Sequence, residues 1–101
     1  MSVETKISDD GKTLTIKVSG KLDITMYKTF SDSYKDQIGS VSKVILDMAD
    51  VEHVDSSGLG MMLVLRERLS EDAQIIDIVN VSPSVAKIFK ITNYDKLFNI
   101  E

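Results

Sequence analysis

The chain has no cysteine, no tryptophan, one proline and one histidine among its 101 residues. Each shortage closes off a class of chemistry. Without thiols there can be no disulfide, no thiolate metal site and no cysteine nucleophile. His53 is left to carry any histidine-dependent hypothesis alone. With no nucleophile-elbow pattern and no second base in the chain, His53 reads as a polar strand-end residue. No group of His, Asp and Glu has metal-ligand spacing, and Asp9-Asp10-Gly11 lacks the rest of a calcium loop and reads as a turn. No catalytic residue, no metal and no cofactor are expected, and the chain is not expected to be an enzyme.

Long apolar runs are missing as well. None approaches the roughly 18 residues of a membrane span, and residues 1–6 hold no apolar signal core. A cytoplasmic protein without a membrane role is the expectation. Basic residues are in deficit, 12 Lys and Arg against 16 Asp and Glu, for a net charge of -4. With a pI near 4.9 and no basic stripe, nucleic acid is not an expected partner. Hydrophobic content of 43% and charged content of 28% describe an ordinary globular chain. One domain over residues 1–101, monomeric when free, follows.

The patterns that are present alternate between strand and helix. Residues 3–7 and 13–18 read as a hairpin around the Asp10-Gly11 turn, with Leu14, Ile16 and Val18 on one face. Gly20-Lys21-Leu22-Asp23 reads as a connection. From Thr25 a helix follows, with Met26, Phe30, Tyr34 and Ile38 four residues apart and Gly39-Ser40 ending it. Residues 43–48 form a strand, and residues 51–54 a short half-apolar run. A second helix runs to about Leu69, residues 75–79 form a strand, and Ser82-Pro83 opens a third helix with Val85, Ile88, Phe89 and Leu97 inward and Asn93 at its end. A last strand is placed at residues 97–100. The sum is an α/β domain with a mixed sheet of four to five strands, an N-terminal β-hairpin and three to four helices.

Asp55-Ser56-Ser57-Gly58-Leu59-Gly60 sits where a buried strand gives way to a helix, and it is the candidate site. Ser56 or Ser57 is the natural N-cap of that helix, with an oxygen for one of the unpaired N–H groups of its first turn. Gly58 and Gly60 weaken a helix, which suggests a need for close approach. Of Met61 and Met62, one is expected to face outward as an adaptable apolar contact, with Met61 the candidate.

These residues resemble the bacterial STAS domains of the anti-sigma factor antagonist type. The matching stretches are Gly20-Lys21-Leu22-Asp23, Val44-Ile45-Leu46-Asp47, Val54-Asp55-Ser56-Ser57-Gly58-Leu59-Gly60 and Val81-Ser82-Pro83-Ser84-Val85 with Ile88-Phe89, in family order over nearly all the chain. The resemblance implies a STAS-type sheet and a partner switch in the regulation of transcription. Ser56 would be phosphorylated by a serine kinase or anti-sigma-type regulator that binds the unphosphorylated form, and a PP2C-type phosphatase would reset it. Asp23 would lie near Ser56 and help kinase recognition, Asp55 and Ser57 would shape the loop, and Gly58 and Gly60 would leave room for the partner. Against the family pattern, Met26 stands where a hydroxyl residue is common, with Thr25 a candidate cap. Glu71-Asp72-Ala73 replaces a Gly-Gly turn, and Thr92-Asn93-Tyr94 replaces Thr-Gly-Leu. The alternative is a non-catalytic scaffold or ligand-sensing STAS module in which Ser56 is only a helix cap.

Overall fold

A computed structural model describes residues 2–69 and 76–101. The turn at Glu71-Asp72-Ala73 and the start of the fourth strand at Ile75 lie outside them. The chain opens with β1 (Ser2–Ile7) and β2 (Thr13–Leu22), antiparallel partners with Val3 opposite Val18 and Ile7 opposite Leu14. Gly11 takes the left-handed conformation, φ 73°, that closes the loop between them. Ser8 N–H donates to the Thr13 carbonyl at 2.9 Å to complete it.

From there strands and helices alternate: α1 (Tyr27–Tyr34), β3 (Lys43–Val54), α2 (Ser56–Glu67), β4 (Ile76–Val79), α3 (Pro83–Ile91) and β5 (Asn99–Ile100). The strand order is β1-β2-β3-β4-β5, and every pair after the first is parallel. Sequential order joined by right-handed crossovers lays all three helices on one face of the sheet. Burial agrees. Leu14, Ile16, Val18, Val44, Leu46, Met48, Ile76 and Ile78 are buried in one cluster with Phe30, Tyr34, Met62, Leu65, Val85 and Phe89 of the helices. Thr15, Lys17, Ile45, Asp47 and Asp77, which alternate with them, are only half-buried.

Three boundaries differ from the sequence expectation, each for a physical reason. β2 runs on to Leu22, because Gly20 at φ 96° lets the strand bend without ending. β3 is one strand where two runs are predicted. Lys17 pairs with Asp47 but Ser19 with Asp50, and Gly20 pairs with Val51 but Lys21 with His53, so β3 carries extra residues at two bulges. The bulges change its spacing from two to three and turn Met48, Val51 and Val54 all into the core. α1 stops at Tyr34, short of the predicted end, and tight turns to Ile38 and Ser40 keep Ile38 buried.

The C-terminal part follows expectation in most respects. Ser82 caps α3, its Oγ accepting from Val85 N–H at 3.3 Å, with Pro83 in the first turn. Asn93 is left-handed at φ 62° just past the helix. Leu97 does not face inward: it is 38% exposed, and Phe98 is buried in its place.

Candidate functional site

β2 and β3 end side by side, with Leu22 paired to Val54. The next residue in each strand is an aspartate, and each aspartate caps the helical turn that follows it. Asp23 caps a 3-10 turn at Ile24–Met26, accepting from Thr25 N–H at 3.0 Å and from the Thr25 hydroxyl. Asp55 caps α2, its Oδ1 accepting from Gly58 N–H at 2.9 Å. Two sequence expectations are corrected here. The cap of α2 is Asp55, because its extended backbone and short carboxylate reach the first-turn donor, and neither Ser56 nor Ser57 is the cap. Thr25 likewise donates to a cap and does not act as one.

Ser56 is thereby left at the first helical position, exposed, with no hydrogen bond to its hydroxyl among the described residues. Ser57 is half-buried beside it. Asp23 is brought to the same end of the sheet. The Thr25 hydroxyl, foremost, and the charges of Lys21 and His53 hold its carboxyl below the usual carboxylate range. It is an anion over all neutral conditions.

The two glycines serve different purposes. A Cβ on Gly58 meets the Leu22 carbonyl oxygen at 2.2 Å, and Asp55 N–H donates to that same oxygen at 3.4 Å. Gly58 is buried, so its missing side chain makes room for the protein's own β2 and not for a partner. A Cβ on Gly60 meets nothing within 4 Å, and this position is exposed. Gly60 alone keeps the surface bare.

Met61 is 3% exposed and Met62 fully buried, so neither methionine faces out and Met61 belongs to the core. The bulk that reaches solvent lies elsewhere. Ile24 is 65% and Tyr27 45% exposed, directly after Asp23. α1 follows β2 and α2 follows β3, and these two strands are parallel neighbours, so both helices start from the same end of the sheet. Ile24 and Tyr27 therefore lie at the end of the sheet that also carries Ser56. The sequence carried a signal for both, since neither falls on the four-residue core stripe of Met26, Phe30 and Tyr34. From Ser56 to Leu65 α2 has no charged residue, although Leu63 and Val64 are only half-buried. The C-terminal segment braces this helix: the Tyr94 hydroxyl donates to the Leu59 carbonyl at 2.9 Å and Arg66 Nε to the Leu97 carbonyl at 3.2 Å.

Among the described residues no cluster of three or more His, Asp or Glu is placed to hold a metal ion, and no helix is long and apolar enough to cross a membrane. What the arrangement offers is an exposed hydroxyl at a helix start, flanked by two engaged carboxylates and an uncharged, partly apolar surface.

A two-layer domain with a hairpin-led mixed sheet and a serine at the start of its second helix defines a recognisable class. The STAS domain family model matches residues 2–101, and the chain belongs to that family. It is 34% identical over 100 residues to a STAS-domain containing protein of Pseudomonas aeruginosa (strain UCBPP-PA14), covering 99% of each chain. The fold is that of the anti-sigma factor antagonist SpoIIAA in its unphosphorylated form, with a TM-score of 0.82, 22% identity, and coverage of 99% of this chain and 88% of that one. The Bacillus cell fate determinant SpoIIAA in the phosphorylated form matches with a TM-score of 0.66 and 20% identity, over 99% of this chain and 91% of that one.

Proposed function

We propose that this protein is a non-catalytic partner switch of the anti-sigma factor antagonist type, working in the bacterial cytoplasm and gated by phosphorylation of Ser56. Unphosphorylated, it binds a serine kinase or anti-sigma-type regulator and releases what that partner held. Phosphorylated, it is let go until a PP2C-type phosphatase resets it. The observation that carries this reading is the exposed Ser56 hydroxyl, without a hydrogen bond among the described residues, beside a cap already supplied by Asp55. In the rival reading, a scaffold or ligand-sensing module, Ser56 is a helix cap, and that part of it does not hold because Asp55 takes the cap.

Opposing energies explain why the modification acts outward. A phosphoryl group adds about -1.5 to -2 charge. The start of α2 favours an anion by roughly 0.3–1 kcal/mol, while the carboxylates of Asp55 and Asp23 repel it, so the two effects oppose each other and the fold changes little. A partner surface shaped for a neutral hydroxyl responds differently. A mispaired charge buried there costs about 2–5 kcal/mol, roughly 30-fold to several thousand-fold in affinity. That suffices for a switch without a conformational change. Kinship with a fold known in both phosphorylated and unphosphorylated forms is consistent with this.

The test is a pull-down from host lysate with wild type, Ser56→Ala and Ser56→Asp as baits, read by mass spectrometry. A protein with a serine-kinase domain should be kept by wild type and Ser56→Ala and lost by Ser56→Asp. Three baits that retain the same proteins would refute the switch.

A further inference from the structure

β1 forms one edge of the sheet and, among the described strands, bonds only to β2. The other edge, β5, has only two residues. Ser8 N–H donates to the Thr13 carbonyl, and this register makes the even-numbered residues of β1 the ones that exchange hydrogen bonds with β2. The alternation of an antiparallel ladder then turns the N–H and C=O groups of Val3, Thr5 and Ile7 outward. Such an edge recruits strands unless it is guarded.

The side chains along β1 say which strand fits. Val3 and Ile7 pack toward the core, while Glu4 and Lys6 are exposed on the open face of the sheet. A second β1 laid antiparallel about a two-fold axis at Thr5 puts Glu4 opposite Lys6 twice and Val3 opposite Ile7 twice. Moving the axis by one residue sets Glu4 against Glu4 or Lys6 against Lys6. Like charges directly opposite are destabilising, so one self-complementary register is favoured over its neighbours. In that register the Glu4 and Lys6 pairs fall at the non-hydrogen-bonded positions, where facing side chains come closest.

We propose that β1 is a self-association edge through which a second copy of this chain pairs, antiparallel and centred on Thr5, to give one sheet running through both subunits. This departs from the free monomer expected of the sequence. Ser56 lies at the ends of the interior strands β2 and β3, so pairing at β1 leaves it open, and the proposal does not depend on the switch.

Sedimentation equilibrium over a range of concentrations tests it, with melting curves confirming that each variant folds. Wild type is expected to show a reversible monomer–dimer equilibrium. Glu4→Lys alone and Lys6→Glu alone each replace two attractive pairs by two repulsive ones, raising the dimer Kd roughly ten-fold or more. The two single variants mixed together restore both pairs and should form a heterodimer. The double variant Glu4→Lys/Lys6→Glu should dimerise like wild type. A wild type that stays monomeric at its highest soluble concentration overturns the proposal. So does a dimer indifferent to the single substitutions, or a mixture that fails to recover it.

Discussion

Gly58 and Gly60 are two residues apart on α2 and lack a side chain for opposite reasons. Gly58→Ala drives a methyl into the Leu22 carbonyl, and backbone on that side cannot turn away as a flexible side chain could. We expect a loss of about 1–3 kcal/mol, the usual range for overpacking, measured by denaturant unfolding. Gly60→Ala meets open space and should gain about 0.8–1 kcal/mol from helix propensity. If Gly60 keeps the surface bare for a partner, the same variant binds that partner more weakly while melting higher. A Gly60→Ala protein that is both more stable and equally bound would show that this bareness has no role. Sequence alone treats the two glycines alike, because the clash that separates them comes from a residue 36 positions earlier in the chain.

At the scale of elements, the first turns of α1 and α2, at the same end of the sheet, form the surface on which binding is expected to rest. Ile24 and Tyr27 are its exposed bulky members, and large exposed apolar groups beside a polar switch mark an interaction site. Replacing either with serine should weaken partner capture by at least ten-fold, as for a typical hot-spot residue. Melting temperature should barely move, since neither side chain belongs to the core. Unchanged capture by both variants would put the interface elsewhere.

Most of the elements were legible in the sequence because their apolar periods are clean. Leu14, Ile16 and Val18 alternate, and Ser82-Pro83 announces α3. The bulges of β3 were not legible, since a spacing of three at Met48, Val51 and Val54 matches neither strand nor helix. Both aspartate caps were also missed. A serine run invites a cap assignment by residue type, whereas the backbone places Asp55 where the cap must be.

At the scale of the whole molecule, Asp77 ties three strands together across the open face of the sheet. It accepts from Asn99 Nδ2 at 3.0 Å and pairs with Lys43 Nζ at 2.9 Å, joining β3, β4 and β5. The Asn99 hydrogen bond, foremost, and Lys43 hold its carboxyl below the usual carboxylate range. A folded-state pKa below the unfolded one of about 3.9 contributes stability above that value, and the contribution is lost as pH falls through the folded pKa. Wild type should therefore lose stability on acidification below about pH 4 more steeply than Asp77→Asn. Equal slopes in denaturant melts across that range would remove Asp77 from the account.

The consecutive strand order also bears on how the chain folds. Each strand settles beside the one made just before it, so no early segment waits for a late one to complete its pairing. The hairpin needs only local contacts, and each strand after it needs only its own crossover to close a loop. A chain emerging from the ribosome can thus build its sheet in the order of synthesis. The serine-bearing turn rests on the earlier strand β2 through Asp55 N–H and the Leu22 carbonyl, so its seat is complete in the sequence before the C-terminal segment that braces α2.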